Sequence, residues 1–167
     1  ANKYRVILIL ILIGFSIGGV AMSILDAGKV CLFSKISGVV MLDGKPAVNA
    51  KLVRTVNLSK DITDEITTDE KGYFEMPAVY TRTIGKFLPM EFVVSQDIEV
   101  SYKDKKYDMW SGVKRKPEEN VESRGKPLVV KCELNSETKY IKVNGSPIHS
   151  LCTWDVDPDP KEEFFLK

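Results

Sequence analysis

Between Val6 and Leu25 the chain runs for 20 residues without a charge, with Lys3 and Arg5 before the run and Asp26 after it. That length is what a helix needs to cross a bilayer. No polar face interrupts the run, as one would in a helix packed on a globular core. The expectation is an N-terminal membrane anchor over residues 1–27. The alternative is a signal peptide cleaved near Ala21-Met22-Ser23. Positive charge before the run and none directly after it orients a single-pass segment with its N-terminus in the cytoplasm and its C-terminal bulk outside. In a Gram-negative cell this is the inner membrane, with the domain in the periplasm. Within the run, Gly14 and Gly18 have the small-residue spacing of helices that pack together in lipid.

The rest of the chain is long enough for one ordinary core. Lys+Arg 24 against Asp+Glu 23 leaves a net charge of +1, so no overall field favours nucleic acid. The longest basic run, Lys114 to Lys116, is too short to change that. After a linker at 28–36, apolar runs of strand length alternate with turn residues, and no long 3.6-residue periodicity intervenes. This pattern predicts an all-β domain over 37–155, followed by an acidic C-terminal tail at 156–167.

Strands are expected at Ser37–Leu42, Lys51–Asn57, Tyr73–Met76, Phe92–Ser95, Ile98–Tyr102, Lys106–Trp110, Leu128–Glu133 and Tyr140–Val143. Asp43-Gly44 and Asp69 to Gly72 supply tight turns, and a hairpin turn is expected in Tyr102–Tyr107. The acidity of "TTDEKGYF" follows from turn geometry. Calcium binding by Asp64, Asp69 and Glu70 is the weaker rival, because the dense Asp-x-Asp spacing of a loop site is missing. Asn57–Glu65 reads as a polar loop and Ser111–Pro127 as a long, polar and mobile connection. Tyr80–Glu91 carries Ile84, Phe87, Leu88 and Met90, expected to cap the core, with exposure as the alternative.

Cys132 and Cys152 lie together in the C-terminal third, and in an oxidising compartment they form the natural disulfide, with reduced buried thiols as the alternative. Cys31 is expected to stay unpaired. Lipidation there is disfavoured, because Gly28-Lys29-Val30 does not offer the small residues such a site needs. His149 and Cys152 have metal-ligand spacing, but His149 is the only histidine and no Cys-x-x-Cys accompanies it, so neither a metal nor a cofactor is expected. Catalytic arrangements are equally thin. A nucleophile–base pair would have to use His149, and the paired carboxylates Glu118-Glu119 and Glu162-Glu163 sit in solvated stretches.

The stretch "SGVVMLDGKPAVNAKLVRT…ITTDEKGYFEMPAV" resembles the carboxypeptidase regulatory-like, or transthyretin-like, β-sandwich domain. The resemblance is carried by Gly38, Val40, Asp43, Gly44, Pro46, Ala50, Thr67, Thr68, Asp69, Gly72 and Phe74. It implies a transthyretin-like/Ig-like β-sandwich, and such domains are mostly noncatalytic accessories. Pro77 to Cys132 is similar to small Gram-negative envelope proteins found near type VI secretion effector genes. That likeness implies an immunity protein, a membrane-anchored binder that occludes a secreted toxin. The other reading is an accessory subunit of a larger envelope complex. Candidate contact residues are Tyr107, Trp110, Lys114 and Arg115, together with Trp154, Asp155, Asp157 and Asp159, since tryptophan and arginine are favoured interface anchors.

Overall fold

A computed structural model describes residues 27–161, apart from the side chains of Lys86 and Phe87. The expected anchor, with Gly14 and Gly18, lies outside the described residues, as do Glu162 and Glu163. Among the described residues no helix is long and apolar enough to cross a membrane.

The domain is all-β, as expected. Its strands are β1 (Lys29–Phe33), β2 (Ile36–Leu42), β3 (Lys45–Pro46), β4 (Lys51–Asn57), β5 (Asp61–Thr67), β6 (Tyr73–Met76) and β7 (Val79–Arg82), followed by β8 (Val94–Tyr102), β9 (Lys105–Lys114), β10 (Leu128–Glu133), β11 (Lys139–Val143), β12 (Ser146–Ser150) and β13 (Cys152–Trp154). Two short 3-10 turns, Ile84–Phe87 and Val121–Ser123, interrupt them. One sheet runs β11-β12-β9-β8-β4-β5. The other runs β13-β10-β2, with β3 and β6 both pairing to β2, and β1 with β7 forms a separate ribbon.

Period-two burial explains how the sheets face each other. Leu52, Arg54 and Val56 of β4 and Val94, Gln96, Ile98 and Val100 of β8 point inward. Ile36 and Val40 of β2 and Leu128, Val130 and Cys132 of β10 answer from the other sheet, and all the apolar members of this set belong to one core. This is a β-sandwich. Its second sheet closes through a parallel β2–β10 pair that sets Gly38 beside Val130. A side chain on Gly38 would overlap the Val130 carbonyl oxygen, so only glycine lets these strands meet.

The turn chemistry of "TTDEKGYF" is visible in full. The Asp69 carboxylate accepts from Lys71 N at 2.8 Å and Tyr73 N at 2.9 Å. Gly72 takes φ +72° and its carbonyl accepts from Val40 N. Thr68, buried, accepts from Ala50 N at 2.8 Å and donates to the Ala47 carbonyl, which ties the β5–β6 turn to the segment before β4. Among the described residues no acidic group gathers as a metal site.

Several expectations need correction. The linker at 28–36 contains a core strand: Val30, Leu32 and Phe33 of β1 are at most 1% exposed. The polar loop Asn57–Glu65 is mostly strand, because β5 pairs with β4 from Lys51↔Thr67 to Asn57↔Asp61 and Asp64 neutralises the buried Arg54 there. The two strands expected at Phe92–Ser95 and Ile98–Tyr102 are one strand, Val94–Tyr102, joined through Gln96, which is buried but bonded, while Phe92 and Val93 lie outside it. The pairing of β8 with β9 shifts after Ile98, and Met109 and Trp110 are both buried at that irregularity. Ser111–Pro127 continues β9 to Lys114 and then sends Glu122 and Ser123 into the interior.

The expected disulfide is present. Cys132 and Cys152 are directly opposite each other on β10 and β13. Cys31 is buried and free, and burial is the first of the causes that push its thiol up to about 11.

Candidate binding cleft

Of the expected contact residues, Trp110 and Lys114 are each 1% exposed and cannot meet a partner. They belong to a buried polar centre built around Glu122. Its carboxylate accepts from Lys114 Nζ at 3.0 Å, Ser34 Oγ at 2.5 Å and Gln96 Nε2 at 2.9 Å. The Gln96 amide also donates to the Leu32 carbonyl, and its oxygen accepts from Trp110 Nε1. Ser34 Oγ in turn accepts from Asn120 N. Burial pushes the Glu122 carboxyl up, but the Lys114 charge and the bonds from Ser34 and Gln96 outweigh it and hold the group below the usual carboxylate range. The two charges pair with each other and the carboxylate is further bonded by Ser34 and Gln96, so this centre fixes the β1–β2 link, β8, β9 and the 121–123 turn to one another.

Trp154 belongs to the same assembly. Its ring lies 5.0 Å from that of Trp110, and its Nε1 donates to the Glu122 carbonyl. The acidic tail is docked as far as it is described. Val156 packs on the core, and Asp159 accepts from Asn144 N at 3.0 Å and Gly145 N at 2.7 Å and pairs with Arg124. These bonds, from Gly145 first, hold the Asp159 carboxyl below its ordinary range. Asp159 is therefore a turn clasp for the β11–β12 hairpin. Asp155 pairs with Lys126, Arg115 with Glu91, and Tyr107 stands opposite Val100. The eight residues do not form one surface. His149 is exposed and stacks against Tyr140, far in chemistry from a metal ligand because Cys152 is bonded to Cys132.

An open cleft lies elsewhere, between the β1–β7 ribbon and the Leu58–Lys60 turn of the β4–β5 hairpin. It has a volume of about 660 Å³. Its floor is apolar: Val30 and Leu32 are buried, and Leu58, Ile62 and Phe92 are half-buried. The segment 83–93 forms one wall, with Thr83 capping the 3-10 turn by accepting from Gly85 N at 3.0 Å. Lys60, Arg82 and Glu91 supply charge at the mouth. The expectation that Ile84, Leu88 and Met90 cap the core does not hold, for they are 80%, 48% and 67% exposed. The core beneath them is already closed by β1, so they are left to water at and beside the rim. Phe87 lies outside the described side chains.

Sequence reasoning missed this cleft because its floor is assembled from three distant segments. One of them, β1, is a run of only five residues after the Ala27-Gly28 turn, and from the sequence it reads as linker. The one available sign was the density of apolar residues around Gly85 and Pro89.

Fold and cleft together define a β-sandwich domain with a concave apolar surface, the kind of site that takes up a ligand or a partner's side chains. Over residues 36–137, more than half of its length, the chain belongs to the family described as a domain of unknown function, DUF6795. No curated protein matches it, and no solved structure does.

Proposed function

We propose that this protein is a membrane-anchored periplasmic binding protein that acts by occlusion and not by turnover. In this reading residues 1–27 hold it in the inner membrane with the N-terminus in the cytoplasm, and its sandwich is of the transthyretin-like kind. The observation that carries the proposal is the open cleft with its half-buried apolar floor, Leu58, Ile62 and Phe92. An apolar concavity that opens to water marks a place where something docks. The partner that the resemblance of Pro77–Cys132 points to is a secreted toxin of the type VI kind, which makes the protein its immunity factor.

The test is a deletion strain challenged by toxin-competent sister cells. Survival should fall on deletion and return with the wild-type gene. It should not return with Leu58→Glu, which places a charge on the cleft floor, even when that variant reaches the membrane at the same level. Unchanged survival of the deletion strain, accompanied by loss of a membrane assembly, overturns immunity in favour of an accessory envelope subunit.

A further inference from the structure

We infer that the loop 83–90 is a membrane-contacting element: Ile84, Leu88 and Met90 enter the outer interface of the bilayer that holds the anchor. The inference rests on the anchored reading above and names the surface that this end of the domain meets.

The argument begins with reach. The apolar run ends at Leu25, and Gly28 follows three residues later. Thr83 N donates to the Gly28 carbonyl at 2.9 Å, so the loop starts one hydrogen bond from the chain that leaves the membrane. Even fully extended, three residues and that bond place Thr83 no more than roughly 14 Å from Leu25. The polar layer on each side of the hydrocarbon is about 5–8 Å thick. Thr83 therefore lies within the polar layer or at most about 6–9 Å beyond it, close enough for the loop that follows to reach the lipid.

The chemistry is graded in the order an interface requires. Lys29 and Arg82 are exposed and face each other across the β1–β7 ribbon. Lys29 Nζ lies 4.4 Å from the centre of the Tyr80 ring, and Tyr80 is 40% exposed. Cations beside a half-exposed tyrosine suit the headgroup level. The exposed apolar residues follow in the next turn of chain, and burying a side chain of this size is worth about 1.5–3 kcal/mol when it leaves water completely. A protein partner for the same loop would leave the coincidence of these residues with the exit of the anchor unexplained.

Nitroxide labels test this on the full chain reconstituted in phosphatidylcholine vesicles. Labels are placed singly at Ile84→Cys, Met90→Cys and Lys103→Cys. Lys103 lies in the turn after β8, a strand whose nine residues carry it roughly 26 Å from the cleft wall. Cys31, buried and held as the thiol, does not compete for the label. Expected is relaxation dominated by oxygen at 84 and 90 and by an aqueous nickel chelate at 103. If the chain floats with the vesicles while position 84 is as open to nickel as position 103, the inference fails and the anchor stands. If the chain does not float, the anchor fails and takes the inference with it. Spin broadening at 84 that grows with protein density overturns it in favour of contact between two copies.

Discussion

Glu122 is 2% exposed, and its Lys114 partner 1%. A buried charge pair adds little net stability when intact, but removing one member strands the other in low dielectric. The usual cost of that is about 3–5 kcal/mol. Glu122→Gln keeps the shape and most of the hydrogen bonds to Ser34 and Gln96 but leaves the Lys114 ammonium without its counter-charge. Urea denaturation at neutral pH should show a loss of that size, and the double variant Lys114→Met, Glu122→Gln should recover much of it. The pH dependence has a definite sign. Since the native carboxyl lies below its unfolded value, its contribution is complete above about pH 5 and is lost as pH falls through the native value. Glu122→Gln should therefore be less stable at neutrality and decline less steeply on acidification. A variant as stable as wild type with an unchanged acid limb would show that the pair does not hold this centre together.

Hairpin turns show most directly what a sequence of this kind displays and what it conceals. Asp43-Gly44 takes positive φ at both residues, as does Asn144-Gly145, and the residue types suit that geometry. The first was legible for this reason, as were Asp69 and Gly72. Lys103-Asp104, between β8 and β9, does the same with φ 49° and 59°, though lysine does not favour it. There the hairpin was legible from the flanking alternation, and the strain was not. Elsewhere the alternation was masked by polar residues whose partners are remote in sequence. Arg54 is buried against Asp64 and the Pro77 carbonyl, Gln96 against Leu32, and Lys114 against Glu122. A pattern of apolar letters cannot register such residues as interior, so β5, the middle of β8 and the end of β9 were read as loop. Replacing Lys103-Asp104 by Asn-Gly should relieve the left-handed cost, about 1 kcal/mol or somewhat more, at the expense only of an exposed contact between Lys103 and Tyr102. Thermal unfolding should rise by several degrees. A fall would mean that the turn is held by contacts beyond its own backbone.

At the scale of the molecule, the family match and the folding unit have different limits. Residues 36–137 contain β2 to β10 but omit β1, β11, β12 and β13. Without β1 the core loses Val30, Leu32 and Phe33, all at most 1% exposed. At 1.5–3 kcal/mol each, their burial is worth roughly 5–9 kcal/mol. The whole stability of a domain this size is about 5–15 kcal/mol. The C-terminal omission removes the partner of β9 in one sheet and of β10 in the other, together with Cys152 of the disulfide and the Trp154 ring over Trp110. Either loss is comparable with the margin, and together they exceed it. A piece spanning 27–161 should therefore unfold in one cooperative transition and give a structured near-UV spectrum. The piece 36–137 should be expanded on gel filtration and melt without a transition. The intermediate piece 36–161 separates the contributions. If β1 is as integral as its burial indicates, that piece fails as well, since no other described strand can supply a phenylalanine between the Trp110 ring and the Arg54 guanidinium, where Phe33 sits 5.7 Å from one and 5.1 Å from the other. Cooperative unfolding of 36–161 at the temperature of 27–161 would return β1 to the status of a linker.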